Sequence, residues 1–384
     1  MKNIAILVPT LNKGGAERVA ANLSIEFSKY YNVYVIVHTG EDIIYPYGGK
    51  LIDLQLPPQD GIFNKVCTLI KRVRKVREIQ RKYKIDYTIS HLPPSNNVNI
   101  FARGHGKVIT YVHTMMDTNV KNFWMKRIRE VVNERLSDKV ICVSECVRQN
   151  MIKNFGLKVD KVTTIYNFID VNNIKKNFFY NKESNEMQIV TMGRMTTQKG
   201  QWHLIRAMKK VCMEFPCAKL VIMGEGELKE RLMNLSKKLG LEKNICFYGY
   251  LANPYEIISK SSVYVSSSNV EGLPMALIEA ARCGVPIIST DCDAGCREIL
   301  APHTSIERKT SKIEYAKYGI LVPICKDYEY EELKLSAQEN VMAEAILKLL
   351  KDPILRKNYA ELAFLRSNNF TPEHIMHEWR ALLV

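Results

Sequence analysis

The chain has 384 residues, 46% hydrophobic and 25% charged, which are globular proportions in a chain too long for one ordinary core. No run approaches eighteen uninterrupted apolar residues, so no transmembrane helix is expected. The ten cysteines show neither CxxC nor metal-ligand spacing, as expected of reduced structural thiols in a cytosolic protein. The formal charge of +15 is lopsided: residues 1–180 carry 28 Lys and Arg against 15 Asp and Glu, and residues 181–384 carry 27 against 25. An anionic partner that meets only the first half is implied, either nucleic acid or an anionic membrane surface.

In chain order, the first residues resemble the start of a signal peptide but lead straight into a strand–loop–helix pattern. Apolar, β-branched runs at 4–8, 33–37, 87–90, 108–112, 140–143 and 162–165 predict strands. Amphipathic segments at 16–28 and 65–83 predict helices between them. This is the βαβ rhythm of a doubly wound parallel sheet. A polar stretch rich in Asn and Lys then breaks the pattern, which gives a first domain over 1–168 and a linker over 169–186. The rhythm restarts with strands at 187–193, 219–223, 245–248, 262–266, 286–289 and 319–322, and with helices over 202–215, 227–239 and 274–283. Helical patterns at 341–350, 353–366 and 372–383 close the chain. The expected architecture is α/β, with two facing Rossmann-like domains, a cleft between them and a helical C-terminal tail. The second domain spans 187–365, and residues 366–384 are expected to pack back on the first.

Three loops of the second half follow strands and carry polar chemistry. Segment 193–200 offers Arg194 and Lys199 before a helix, a pair of cations suited to a diphosphate. Gly224 and Gly226 form a Gly-x-Gly at a helix start, where backbone can approach a nucleotide. Tyr248, Gly249 and Tyr250 follow the next strand, and their backbone can lie against a base. The most informative stretch runs from Glu271 to Glu279, between two apolar strands. Pro274 suits the first position of a helix, which places Glu279 within an otherwise apolar run. A carboxylate there needs partners, and sugar or ribose hydroxyls would serve. Asp291 and Asp293 have the spacing of an Asp-x-Asp element but lie after that helix and read as a loop.

The chain resembles family 4 (group 1) glycosyltransferases of the GT-B fold. The matching residues are Gly193, Arg194, Lys199 and Gly200, the Gly-x-Gly at 224–226, the Glu-x7-Glu element, the Arg297-Glu-Ile run and the Tyr318-Gly-Ile run. Cys296 departs from the more usual Gly-Pro-Arg-Glu. The resemblance implies that Arg194 and Lys199 hold the donor diphosphate, that Glu279 binds ribose, and that Glu271 touches the donor sugar beside Gly272 and Leu273. It also implies a metal-independent, retaining reaction with no cofactor beyond the nucleotide-sugar co-substrate. Gly14 and Gly15 match a loop placed across the cleft from the donor, and His113 matches a histidine facing the donor sugar. His91 and Ser144 are weaker candidates for the acceptor side. Ser144, Glu145 and Asn167 also suit loop and helix-cap roles.

Two basic stretches remain. One spans 65–84; the other spans 119–135, where Phe123, Trp124 and Met125 adjoin Lys121, Lys126, Arg127 and Arg129. Such segments suit an anionic leaflet, whereas no nucleic-acid module is visible. The expectation is a glycosyltransferase using a nucleotide sugar, with UDP as the expected base, and a lipid-diphosphate-linked acceptor. It would act in capsule, O-antigen or exopolysaccharide assembly, cytoplasmic and peripheral on the inner membrane face. The alternatives are a soluble-acceptor transferase, a GT-B nucleotide-sugar epimerase and a catalytically silent sugar-binding protein.

Overall fold

A computed structural model describes residues 1–12, 14–115, 135–171, 174, 187–293, 295–325 and 332–384. Most of the expected linker and the Phe123–Trp124–Met125 cluster lie outside the described residues. Internal contacts divide the chain into Met1–Phe168 with Ile375–Val384, and Ile169–His374.

The first unit contains β1 (Asn3–Val8), α1 (Gly15–Phe27), β2 (Asn32–Val37), β3 (Lys50–Asp53), α2 (Ile62–Lys82), β4 (Tyr87–His91) and α3 (Pro93–Ala102). It continues with β5 (Lys107–Val112), β6 (Lys139–Cys142), α4 (Glu145–Lys153) and β7 (Val162–Thr164). Its strands form one parallel sheet in the order β3-β2-β1-β4-β5-β6-β7. β1 is buried on both faces from Ile4 to Val8, which is why it reads as an unbroken apolar run rather than an alternating one. β3 is a half-exposed edge strand without such a run, and nothing in its sequence marks it as a strand.

The second unit contains β8 (Gln188–Met192), α5 (Gln201–Glu214), β9 (Lys219–Met223), α6 (Lys229–Lys238), β10 (Ile245–Gly249), α7 (Tyr255–Ser259) and β11 (Val263–Ser266). After these come α8 (Met275–Arg282), β12 (Ile287–Thr290), α9 (Cys296–Leu300), β13 (Glu314–Ala316) and β14 (Gly319–Val322). The last helices are α10 (Ala337–Lys351), α11 (Pro353–Ser367) and α12 (Pro372–Leu382). The strand order is β10-β9-β8-β11-β12-β14-β13, with β13 antiparallel to β14 and the other described pairings parallel. α5 docks on α10 through buried polar groups as well as apolar ones. Glu339 accepts from Arg206 Nε at 2.7 Å and pairs with His203 Nδ1 at 2.7 Å, and it completes a capping box with Ser336.

The tail joins the first unit from Ile375 onward, not from residue 366. Arg366 donates to the carbonyls of Ile299 and Glu298, which ties the end of α11 to the second unit. Beyond it, Trp379 is fully buried against Phe27 and Tyr111, with ring centroids at 5.5 and 5.7 Å. Lys2 Nζ donates to the Leu383 carbonyl at 2.6 Å, so both chain ends lie in one unit.

Candidate active site

Each sheet has a switch point between neighbouring parallel strands whose connections leave in opposite directions, between β1 and β4 in the first unit and between β8 and β11 in the second. The loops leaving the carboxyl ends of such neighbours diverge, and the crevice between them is where open α/β sheets bind ligands.

In the second unit those loops follow β8 and β11, and a ladder of hydrogen bonds joins them. Asn269 N donates to the Gln198 carbonyl at 2.7 Å, Asn269 Nδ2 to the Thr197 carbonyl at 3.2 Å, and Ser267 Oγ to the Lys199 carbonyl at 3.1 Å. Gly200 stands where they touch, at φ +57°, and an added Cβ would sit 2.5 Å from the Ser267 carbonyl oxygen. The ladder brings Lys199 Nζ to 2.6 Å from Glu271 Oε1, and Ser268 Oγ donates to the same oxygen at 2.7 Å. A narrow crevice lined by Thr191, Lys199, Ser266, Glu271 and Pro274 opens beside the pair. Arg194 is exposed on the same loop.

The Glu-x7-Glu element is built as two environments. Glu271 lies before α8 and is held by Lys199 and Ser268. Glu279 lies within α8, is 4% exposed, and accepts from Tyr255 OH at 3.1 Å. Tyr255 is thus the partner that the apolar context of Glu279 required, and sequence reasoning does not name it. The Asn-Pro turn at 253–254 ahead of a short helix is its only signal. Pro274 caps α8 rather than occupying its first turn, and its carbonyl accepts from Leu277 N at 3.0 Å.

The glycines after β9 bring loops together. Gly224, at φ +130°, would place a Cβ 2.1 Å from the Gly193 carbonyl oxygen, and Gly226 lies against Met195. Gly224 N donates to the Gly249 carbonyl at 2.7 Å, which ties in the Tyr248–Tyr250 loop, whose two tyrosines are about half exposed. Gly272 and Leu273 are buried, and the Gly272 carbonyl accepts from Gly295 N at 3.2 Å. The loop after β12 therefore buttresses the glutamate loop. Asp291 and Asp293 are engaged by cations: Asp291 by Arg297 at 2.5 Å and Asp293 by Lys309 at 3.0 Å. Arg297 also binds Glu314 at 3.0 Å. Burial opposes its charge, but the bonds to Glu314 and Asp291 outweigh burial and raise its pKa. Cys296 Sγ lies 3.5 Å from Cys292 Sγ in the same buried loop.

In the first unit, Gly14 is the N-cap of α1 and Gly15 its first residue, where an added Cβ would meet open space. His91 and His113 end adjacent strands and touch, His91 Nδ1 lying 2.9 Å from His113 Nε2. His91 is fully buried and stacks on His113, with ring centroids at 5.1 Å. Ser144 is likewise fully buried, and its hydroxyl accepts from Val147 N as the cap of α4. Asn167 accepts from Tyr111 OH at 2.7 Å, which places it in the packing behind His113.

Burial pushes the His113 pKa down to about 3, and burial together with His113 pushes His91 well below its ordinary value, so both rings are neutral near pH 7. One proton then lies between them. Among the described residues, His91 Nε2 has no hydrogen-bond partner. A buried unpaired N–H is rarer than a buried unpaired acceptor, which favours the proton on His91 Nδ1. His113 Nε2 accepts it, leaving His113 with a donor N–H at Nδ1.

The second unit thus holds a sheet-edge crevice beside a paired lysine and glutamate, with a second, buried glutamate in the adjoining helix of a doubly wound scaffold. Comparison with known proteins gives its family. The family model described as "Glycosyl transferases group 1" matches residues 172–366, and that described as "Glycosyltransferase Family 4" matches residues 13–173. An uncharacterized glycosyltransferase of Methanocaldococcus jannaschii is 30% identical over 82% of this chain and 83% of its own length. The N-acetylgalactosamine-N,N'-diacetylbacillosaminyl-diphospho-undecaprenol 4-alpha-N-acetylgalactosaminyltransferase of Campylobacter jejuni is 26% identical over 96% of both chains. Among solved structures, Anabaena HepE in complex with UDP-glucose superposes with a TM-score of 0.76 at 18% identity, covering 100% of this chain and 99% of that one. The chain belongs to the family 4, group 1 glycosyltransferases and has the GT-B fold. Among the described residues, no helix is long and apolar enough to cross a membrane.

Proposed function

We propose that the protein transfers a sugar from a UDP-sugar to a lipid-diphosphate-linked glycan, with retention of anomeric configuration, in surface-polysaccharide assembly. The observation that carries the donor side is the Lys199–Glu271 pair at the β8/β11 switch point, with Arg194 on the same loop as Lys199 and Glu279 in the helix that follows Glu271. Arg194 and Lys199 supply positive charge where a leaving diphosphate gains negative charge, which is the most effective place for it. Glu279, oriented by Tyr255, accepts from ribose hydroxyls, and Glu271 accepts from the donor sugar. The backbone beside Gly272, Leu273 and Pro274 lines that sugar, and the loops at Gly224–Gly226 and Tyr248–Tyr250 cradle the nucleotide. In the first unit, the loop at Gly14 and Gly15 and the ring of His113 are assigned to the donor on the family resemblance, the Gly14 N–H itself being held by the Asn12 carbonyl at 2.8 Å. Catalysis rests on positioning and charge stabilisation, with no metal assigned a role. The lipid-linked acceptor is supported by the diphospho-undecaprenol acceptor of the Campylobacter relative and by the basic first unit, which suits the anionic inner face of a cell membrane.

The test is a panel of UDP-, GDP- and ADP-sugars, with and without a polyprenyl-diphosphate sugar and with EDTA present. UDP release should rise with the lipid-linked acceptor and persist in EDTA, and the product anomer should match the donor. Epimerised nucleotide sugar formed without acceptor would mark an epimerase instead. Nucleotide binding with no turnover, indifferent to Glu271→Ala, would mark a silent sugar-binding protein. Equal transfer to soluble sugars would remove the lipid-linked acceptor.

A further inference from the structure

The charge imbalance of the first unit points to a surface, and α2 shows how that surface is built. Its basic residues are not equivalent. Arg72 donates to the Leu56 carbonyl, Lys75 to the Leu54 carbonyl, and Arg77 to the carbonyls of Ala102 and Phe101, so three of the cations serve the fold. Lys65, Lys71, Arg74, Arg81 and Lys82 remain exposed. The first two turns add something that charge counting does not reveal. Ile62 is 86% exposed, Phe63 79%, Val66 50% and Ile70 46%. At about 100° per residue these four fall within one arc of about 100°, a single apolar stripe turned to solvent. Arg74 and Arg81 continue nearly the same stripe toward the other end of the helix, and Lys65 and Lys71 flank it.

Four large apolar side chains exposed in one line are unusual unless something covers them. The continuation of the stripe as arginine and its lysine flanks say what does. An apolar end among cations is complementary to an anionic bilayer, with acyl chains beneath and phosphate above. We infer that the first turns of α2 form a wedge, with Ile62 and Phe63 at its tip, that enters the acyl region of an anionic membrane while Lys65, Lys71, Arg74 and Arg81 engage the headgroups. The inference rests on the membrane-surface reading above and adds an apolar, salt-resistant component to an otherwise electrostatic attachment. Because the tip residues are exposed, replacing them removes no packing, and the variants should fold with an unchanged melting temperature.

The experiment is flotation of the full chain with phosphatidylglycerol-containing vesicles at low and high salt, together with the tryptophan emission of Phe63→Trp read as a difference from the parent. Expected is binding at low salt that survives in part at high salt. The emission of the introduced indole should shift to the blue and be quenched by lipids brominated in the acyl chain. Ile62→Ser with Phe63→Ser should weaken partitioning about ten-fold or more and abolish the salt-resistant fraction. If the parent floats but the introduced indole keeps a water-exposed spectrum and the double variant floats equally well, the wedge is wrong while the electrostatic membrane reading stands. Absence of flotation at low salt removes both. A dimer in sedimentation that Phe63→Ser dissociates would assign the stripe to a second copy of the chain instead.

Discussion

Lys199 and Glu271 are engaged with each other before any donor arrives, at 2.6 Å and largely out of solvent. Under the proposed donor assignment, a diphosphate entering the crevice would compete with Glu271 for the ammonium and leave the glutamate free to accept from sugar hydroxyls. The two halves of the pair should therefore separate under substitution. Lys199→Ala should weaken UDP binding and lower transfer about 10²-fold, since it removes charge aimed at the leaving group. Glu271→Gln should lower transfer comparably while leaving UDP binding equal or tighter, because Lys199 loses its competitor. Calorimetric titration of both variants with UDP checks this, and parallel losses of affinity would contradict it. His113 supports a second prediction. Its ¹⁵N spectrum near pH 7 should show a protonated Nδ1 and a bare Nε2, and His91→Phe should abolish that preference. Because the His113 pKa lies at about 3, the rate should show no histidine limb between about pH 5 and 8.

At the scale of elements, the site is a meeting of loops, and the residues that let them meet matter as much as those that would touch a ligand. Gly224 allows the loops after β8 and β9 to come within van der Waals distance at a left-handed φ. Gly224→Ala would force the Gly193 carbonyl away and carry Arg194 with it. We expect a loss of stability of about 1–3 kcal/mol from the strained backbone, read from urea midpoints. UDP affinity should fall with it, although Gly224 carries no charge. Undiminished affinity would mean that Gly224 has no part in holding the donor loop. The buttress of Asp291, Arg297 and Glu314 has the same character. Removing one member would leave a buried charge unpaired, the costly case for an ion pair.

Across the whole molecule, what can be read from the chain follows burial. Strands covered on both faces announce themselves as β-branched apolar runs, and each such run is a strand. β3 and β13, half-exposed edge strands of four and three residues, have no run to show and escape sequence reasoning. α3 is hidden because its two leading prolines read as loop, although proline is at home in a first helical turn. Lys199 and Glu271 are legible through motif order, but their contact is not, since a pairing across 72 positions is a property of the folded sheet edge. His91 shows the opposite error: a polar residue at a strand end reads as surface, and only packing reveals it as buried.

Three histidines of the first unit share one buried setting, with a consequence for stability. His38, His91 and His113 all end strands or follow them at the carboxyl edge of the first sheet. Desolvation first, with Arg72 adding to it, pushes His38 down to about 3, as burial does for His113, and His91 is well below its ordinary value. Each is neutral when folded and titrates near about pH 6.5 when unfolded. Below that pH the unfolded chain binds more protons, so the stability held by these rings is full above about pH 6.5 and is lost as pH falls toward about 3. The slope approaches about 1.4 kcal/mol per pH unit for each histidine. Between about pH 6.5 and 4.5 carboxylates with lowered pKa, such as Glu145 and Glu339, do not yet contribute, and the loss from these three rings falls on the first unit. Under the proposed donor assignment, UDP would stabilise the second unit by about 2.7 kcal/mol at a hundred times its dissociation constant. Calorimetry at about pH 5 with saturating UDP should therefore resolve two transitions, the earlier one moving upward on return to about pH 7. His38→Asn should reduce that movement. A single transition that shifts as one under both acid and UDP would mean that the two units unfold as one cooperative body.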